Sequence, residues 1–134
     1  MNKNDCIYAA GFMDGEGCIT TSQNTFRVTI TNTNRPILDW FLNTFGGNIN
    51  NQHIPKNPRW NTAWKWVAAS RKDVASFLKA VRPYLKVKAS EADVVLSYLQ
   101  KHSEKYLRSP DRKIDYEAAK LLLRSLKTDK HYVR

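Results

Sequence analysis

A chain of 134 residues with a formal net charge of +10, 42% hydrophobic and 25% charged, has the size and balance of one domain, residues 1–134, able to bury a normal core. No stretch has the roughly 18 consecutive apolar residues that a membrane-spanning helix needs, so no membrane partner is expected. The N-terminus Met1-Asn2-Lys3-Asn4-Asp5 lacks an apolar signal core and is not Arg- and Ser-rich, which leads to the expectation of an intracellular protein used where it is made. Residues 1–70 hold 6 Lys and Arg against 4 Asp and Glu, whereas residues 71–134 hold 16 against 8. Between Glu16 and Asp73 the only acid is Asp39. Such a stretch on a basic protein suits a surface that lies on phosphates; an ordinary solvated basic face is the alternative.

In chain order, Asn4 or Asp5 can cap a helix entering Cys6-Ile7-Tyr8-Ala9-Ala10-Gly11-Phe12-Met13, with Gly15 and Gly17 stopping it. Cys18-Ile19-Thr20-Thr21-Ser22 and Phe26-Arg27-Val28-Thr29-Ile30-Thr31 alternate about the turn formers Gln23-Asn24, a hairpin with Phe26, Val28 and Ile30 inward. Asn34-Arg35-Pro36 opens a second helix with Ile37, Leu38, Phe41, Leu42 and Phe45 at helical spacing, ended by Gly46-Gly47. Asn48–Gln52 and Ala63–Ala68 form a second hairpin around a loop with Pro55 and Pro58. Trp64 and Trp66 point to the core, with Lys65 opposite. Helices are expected over 72–81, over 90–104 with Ser90 as cap, and over 115–127 with Ala118, Leu121, Leu122 and Leu126 inward. Ser109-Pro110-Asp111 reads as a loop. Cys6 and Cys18 have no CxxC spacing and are expected to be buried, reduced thiols.

The most informative stretch is Ala9-Ala10-Gly11-Phe12-Met13-Asp14-Gly15-Glu16-Gly17, an apolar helix that delivers two acids and two glycines at its end. Gly11 and Gly15 are four residues apart and share a helix face, so two such helices can approach closely and bring their ends together. The outward carbonyls of a helix C-terminus carry partial negative charge, and hard divalent ions take carboxylate and carbonyl oxygens. As four letters, Asp-Gly-Glu-Gly is equally a helix stop with solvated acids.

The nine residues resemble the signature of the LAGLIDADG homing endonucleases, with Ala for the first Leu, Phe and Met at two apolar sites, Gly for the second Ala and Glu for the last Asp. The resemblance extends over roughly residues 5–127. It implies an α+β fold in the order αββαββα with C-terminal helices and a four-stranded antiparallel saddle per subunit. It implies Glu16 as metal ligand, with Gly15 letting its backbone approach Mg²⁺ (Ca²⁺ or Mn²⁺ substituting), and Asp14 in a structural role. Asn32 and Lys88 are implied as catalytic helpers, with Arg35 a further candidate.

One motif in a short chain implies a homodimer with Ala10, Gly11, Asp14 and Gly15 at its interface. The partner implied is double-stranded DNA, read by Thr20, Ser22, Asn24, Arg27, Thr29, Asn48, Asn50, Gln52 and Lys65 on the strands, with Lys56, Arg59 and Asn61 from the loop. Lys101, Lys105, Arg108, Arg112 and Lys113 would position the phosphate backbone. The activity implied is a staggered double-strand break in a long, near-palindromic target. The rivals on the same scaffold are an intron-RNA maturase and a non-catalytic DNA-binding protein.

Overall fold

In a computed structural model, which describes the backbone of residues 1–53, 62–102 and 110–132, the first helix (α1) is Lys3–Glu16. Its cap is Asn2, upstream of the expected Asn4 or Asp5. The Asn2 side chain accepts from the Asp5 N–H at 2.8 Å, and Asp5 accepts from the Asn2 N–H at 3.3 Å, a reciprocal capping box. Gly15 does not stop the helix; it lies inside the last turn, and Gly17 is the C-cap. A Cβ at Gly17 would meet Met13 Sδ at 2.1 Å and the Met13 carbonyl oxygen at 2.8 Å. Close approach, rather than left-handed backbone, requires a glycine there.

Strands β1 (Gly17–Ser22) and β2 (Thr25–Asn32) are joined by Gln23 and Asn24, both at positive φ (48° and 65°), the geometry of a tight two-residue hairpin. Helix α2 (Arg35–Phe45) starts where expected, with Asn34 accepting from the Ile37 N–H at 3.1 Å and Pro36 in the first turn. Gly46 and Gly47 end it at φ 82° and 83°. Strands β3 (Asn48–His53) and β4 (Ala63–Ala68) follow, and the sheet order is β1-β2-β4-β3, all antiparallel. Helix α3 (Arg71–Val81) is capped by Ser70, and a single 3-10 turn, Arg82–Tyr84, absorbs Pro83. Helices α4 (Ala89–Lys101) and α5 (Pro110–Tyr132) complete the described chain; Lys88 rather than Ser90 precedes α4 and gives no side-chain cap.

One face of the sheet is the core. Ile19, Phe26, Val28, Ile30, Trp66 and Ala68 meet Met13, Leu38, Phe41, Phe77, Leu78 and Val81 from the helices, all buried. Trp66 is fully buried against Phe41 and Phe77, with ring centroids 5.3 and 5.0 Å away, and its Nε1–H donates to the Gly46 carbonyl at 2.8 Å. The indole is thus packed and satisfied together.

Two expectations fail on packing. Ala10 is fully buried in the chain's own core, so it cannot line a docking face of α1. In α5 the inward residues are Tyr116 and Leu123, while Leu121 and Leu122 are 61% and 52% exposed. A Leu121-Leu122-Leu123 run fits several helical phases. The choice is made by Tyr116, which enters an aromatic cluster with Phe26 and Tyr98 at centroid distances of 5.1 and 5.9 Å. The helix also begins at Pro110, within the expected loop. Of the two thiols, Cys6 is buried and free, but Cys18 is free and only half-buried.

Candidate functional site

The two acids at the end of α1 have different environments. Asp14 is tied to a segment more than seventy residues away: its Oδ2 accepts from the Lys86 N–H at 2.7 Å and its Oδ1 from the Lys88 N–H at 3.0 Å. Burial pushes the Asp14 carboxyl up, but hydrogen bonds from the Lys86, Lys88 and Val87 backbone, with the Lys88 charge, outweigh it and hold its pKa below the ordinary value. Lys88 closes the clamp from the other side, its Nζ donating to the Asp14 carbonyl at 2.8 Å. The ammonium of Lys88 is therefore held at the last turn of α1, two residues from Glu16. Glu16 itself is exposed.

Asn32 reaches the same end of the sheet by strand register. Gly17, the residue after Glu16, pairs with Ile30, two residues before Asn32. Its Oδ1 accepts from the Asn34 N–H at 2.8 Å, and its side chain lines an open cleft with Tyr8, Phe12 and Trp40. Arg35 is paired with Asp39 at 3.0 Å and lies over the Trp64 ring, 5.9 Å from its centroid.

The second region is the sheet face turned away from the core. Register places Thr20 opposite Arg27, Cys18 opposite Thr29, Thr31 opposite Lys65, and Asn48 and Asn50 opposite Val67 and Lys65. Thr20, Ser22, Arg27, Thr29, Asn48, Asn50 and Lys65 thus share one surface, as alternation requires. Asn24 lies exposed in the hairpin turn beside it. Gln52 falls in a register shift between Asn50 and His53. Lys56, Arg59 and Asn61, and with them Lys105 and Arg108, lie outside the described residues. Among the described residues Arg27 Nε is the buried side-chain polar atom without a hydrogen-bond partner. A buried unpaired donor is costly, and here it sits on the polar face.

On α1 the open face is formed by Gly11 and Gly15, where an added Cβ would have nothing within 4 Å. Ile7 and Tyr8 on the same side are 44% and 53% exposed, and Val87, in the segment held by Asp14, is 52% exposed. Among the described residues no three of His, Cys, Asp and Glu cluster as a metal site. One chain offers the Glu16 carboxylate and the terminal carbonyls of α1. That hard-oxygen donor set fits a divalent cation only when further ligands come from a second chain, a phosphate or water.

The sequence reading missed the amide clamp on Asp14, because nothing local marks a contact between residues so far apart in the chain. It also missed Lys120, Arg124 and Lys127 of α5, whose helical spacing was there to be read.

This arrangement of one four-stranded antiparallel sheet under helices is the fold of homing endonucleases. The structure is similar to I-CvuI in complex with its target, with a TM-score of 0.74 at 19% identity, covering 92% of this chain and 82% of that one. It is similar to the homing endonuclease I-TnaI over 100% of this chain and 99% of the other, with a TM-score of 0.68 and 15% identity. Against the LAGLIDADG homing endonuclease I-SmaMI bound to cleaved DNA the TM-score is 0.63 at 16% identity, with 87% of this chain covering 42% of the longer one. No protein-family model matches the sequence, and no curated protein matches it.

Proposed function

We propose that this chain is a site-specific DNA endonuclease of the LAGLIDADG homing type, working as a homodimer with a divalent metal, Mg²⁺. The observation that carries the reading is the asymmetry at the end of α1: Asp14 is consumed by backbone amides, Lys88 is fixed beside it, and Glu16 is left exposed. Homing endonucleases of the same fold support the assignment to DNA cleavage, among them I-CvuI, in complex with DNA in the presence of Ca or of Mg, and I-SmaMI, bound to cleaved DNA.

Two copies would meet through the Gly11–Gly15 side of α1, flanked by Ile7, Tyr8 and Val87; Ala10 has no part in the contact. The contact places one Glu16 from each copy at the centre of the complex. Glu16 and the Gly15 carbonyl would hold the ion, which when bound supplies an ionised water and offsets charge on the phosphate. Lys88, anchored on the Asp14 carbonyl, presents its ammonium to the charge that develops on the scissile phosphate. Asn32, its Oδ1 engaged by the turn, offers Nδ2 to a water or phosphate oxygen. The outer sheet face lies in the major groove, with Arg27, Asn48 and Asn50 reading base edges. Two-fold symmetry makes the target near-palindromic, and the cut is a staggered double-strand break. The protein acts in the compartment of its encoding DNA.

The test uses purified protein, Mg²⁺ and supercoiled plasmids carrying fragments of its own locus. One linear product from one fragment is the expected result. Retarded but uncut DNA would support a non-catalytic DNA-binding protein instead, and binding of intron RNA alone would support a maturase.

A further inference from the structure

Helix α5 lies along the free edge of the sheet. Tyr116 OH donates to the Thr25 carbonyl at 3.3 Å near one end of β1, and Lys127 Nζ donates to the Ile19 carbonyl toward the other. β1 is an edge strand, so Lys127 caps a carbonyl that no strand pairs. Adjoining this contact, α5 packs against α4, where Asp115 meets His102 Nε2 at 2.6 Å and Arg112 Nε donates to Tyr98 OH at 3.2 Å. With α4 on one side, the other flank of the helix turns past the edge of β1 toward the outer sheet face.

That flank is basic. Lys113, Lys120, Arg124 and Lys127 follow one another at seven, four and three residues and share a side of the helix, with Glu117 the single acid among them. Lys127 fixes the direction of the row, because its Nζ is also 3.7 Å from Sγ of Cys18, a residue in register with the outer face. Lys113 and Arg124 are exposed, and none of the four is in an ion pair among the described residues. Unbalanced like charges at this spacing repel one another unless a polyanion lies alongside. From Lys113 to Lys127 the row is about 21 Å long at 1.5 Å per residue. That is the axial length of about six phosphates on one DNA strand.

We infer that this flank of α5 is a phosphate rail, which holds the backbone of duplex DNA at the margin of the sheet without reading sequence. The inference rests on the DNA-binding reading above and extends its surface from the strands to the C-terminal helix. It is tested by fluorescence anisotropy of the full chain on a mixed-sequence duplex and on a duplex from its own locus, across a range of KCl. Replacing two cations, Lys120→Ala with Arg124→Ala, should lower the slope of log affinity against log salt by about 2, near 0.9 per phosphate contact. Affinity should fall on the order of tenfold, equally on both duplexes. The control Lys72→Ala with Lys79→Ala removes the same charge from α3 and should leave the slope unchanged. Should the alanine pair lose its melting transition, Lys120→Gln with Arg124→Gln repeats the measurement. An unchanged slope in the α5 variant, or equal losses in both pairs, overturns the rail while leaving DNA binding intact. Failure of the unmutated protein to bind either duplex overturns both.

Discussion

The two faces of the sheet are built from the same strands with opposite logic. The inner face is sealed: Ile19, Val28, Ile30 and Trp66 have no solvent exposure, and the one polar atom of Trp66 is satisfied by Gly46. The outer face carries hydroxyls, amides and cations, and it tolerates an unpaired Arg27 Nε. Pairs of residues adjacent in sequence, such as Ile19 with Thr20 and Lys65 with Trp66, thus turn one side chain to the core and the other to the outer face. The acids of α1 repeat the contrast at a smaller scale. Asp14 is held by backbone amides of the fold, and Glu16 stays exposed.

Breaking the inner side should unfold the chain. Trp66→Ala removes an indole packed on Phe41 and Phe77 together with the bond to Gly46. A loss of about 3–5 kcal/mol in urea denaturation is expected. Breaking the open side of α1 should do the reverse. Gly11→Arg has nothing within 4 Å to collide with in its own chain, so the melting temperature should hold while sedimentation equilibrium shows monomer. Cleavage should be lost with the dimer.

The smallest effect belongs to Asp14. Asp14→Ala leaves the Lys86 and Lys88 amides without their acceptor, for about 1–2 kcal/mol. Because the folded-state pKa of Asp14 lies below its unfolded value, its contribution is present above the ordinary carboxylate range. It is lost as pH falls below about 4 toward the folded value. Denaturation from neutral pH downward should show a shallower acid limb in the variant than in the native chain.

Much of this contrast was legible in the residues. Strict alternation in Phe26–Thr31 assigned both faces, and Asn34, Pro36 and Gly46 bracketed α2 because caps and glycines act locally. What escaped was set by distant partners. The phase of α5 depends on Phe26 and Tyr98, far upstream of Tyr116. Ala10 and Gly11 are adjacent small residues on one helix, and only the packing of α1 on its own core tells which faces outward. At the candidate site Glu16 stood out from the sequence. The attachment of Lys88 to Asp14 is a tertiary bond that the sequence did not reveal; resemblance pointed to Lys88 only as a catalytic helper.

The proposal that Glu16 acts in chemistry while Asp14 serves structure is tested most directly by Glu16→Gln. Binding to the target duplex and cleavage in Mg²⁺ would be measured on the same preparations. Unchanged affinity and melting temperature, with cleavage reduced by more than about 100-fold, is the predicted result. A variant that cuts as fast as the native protein would contradict it.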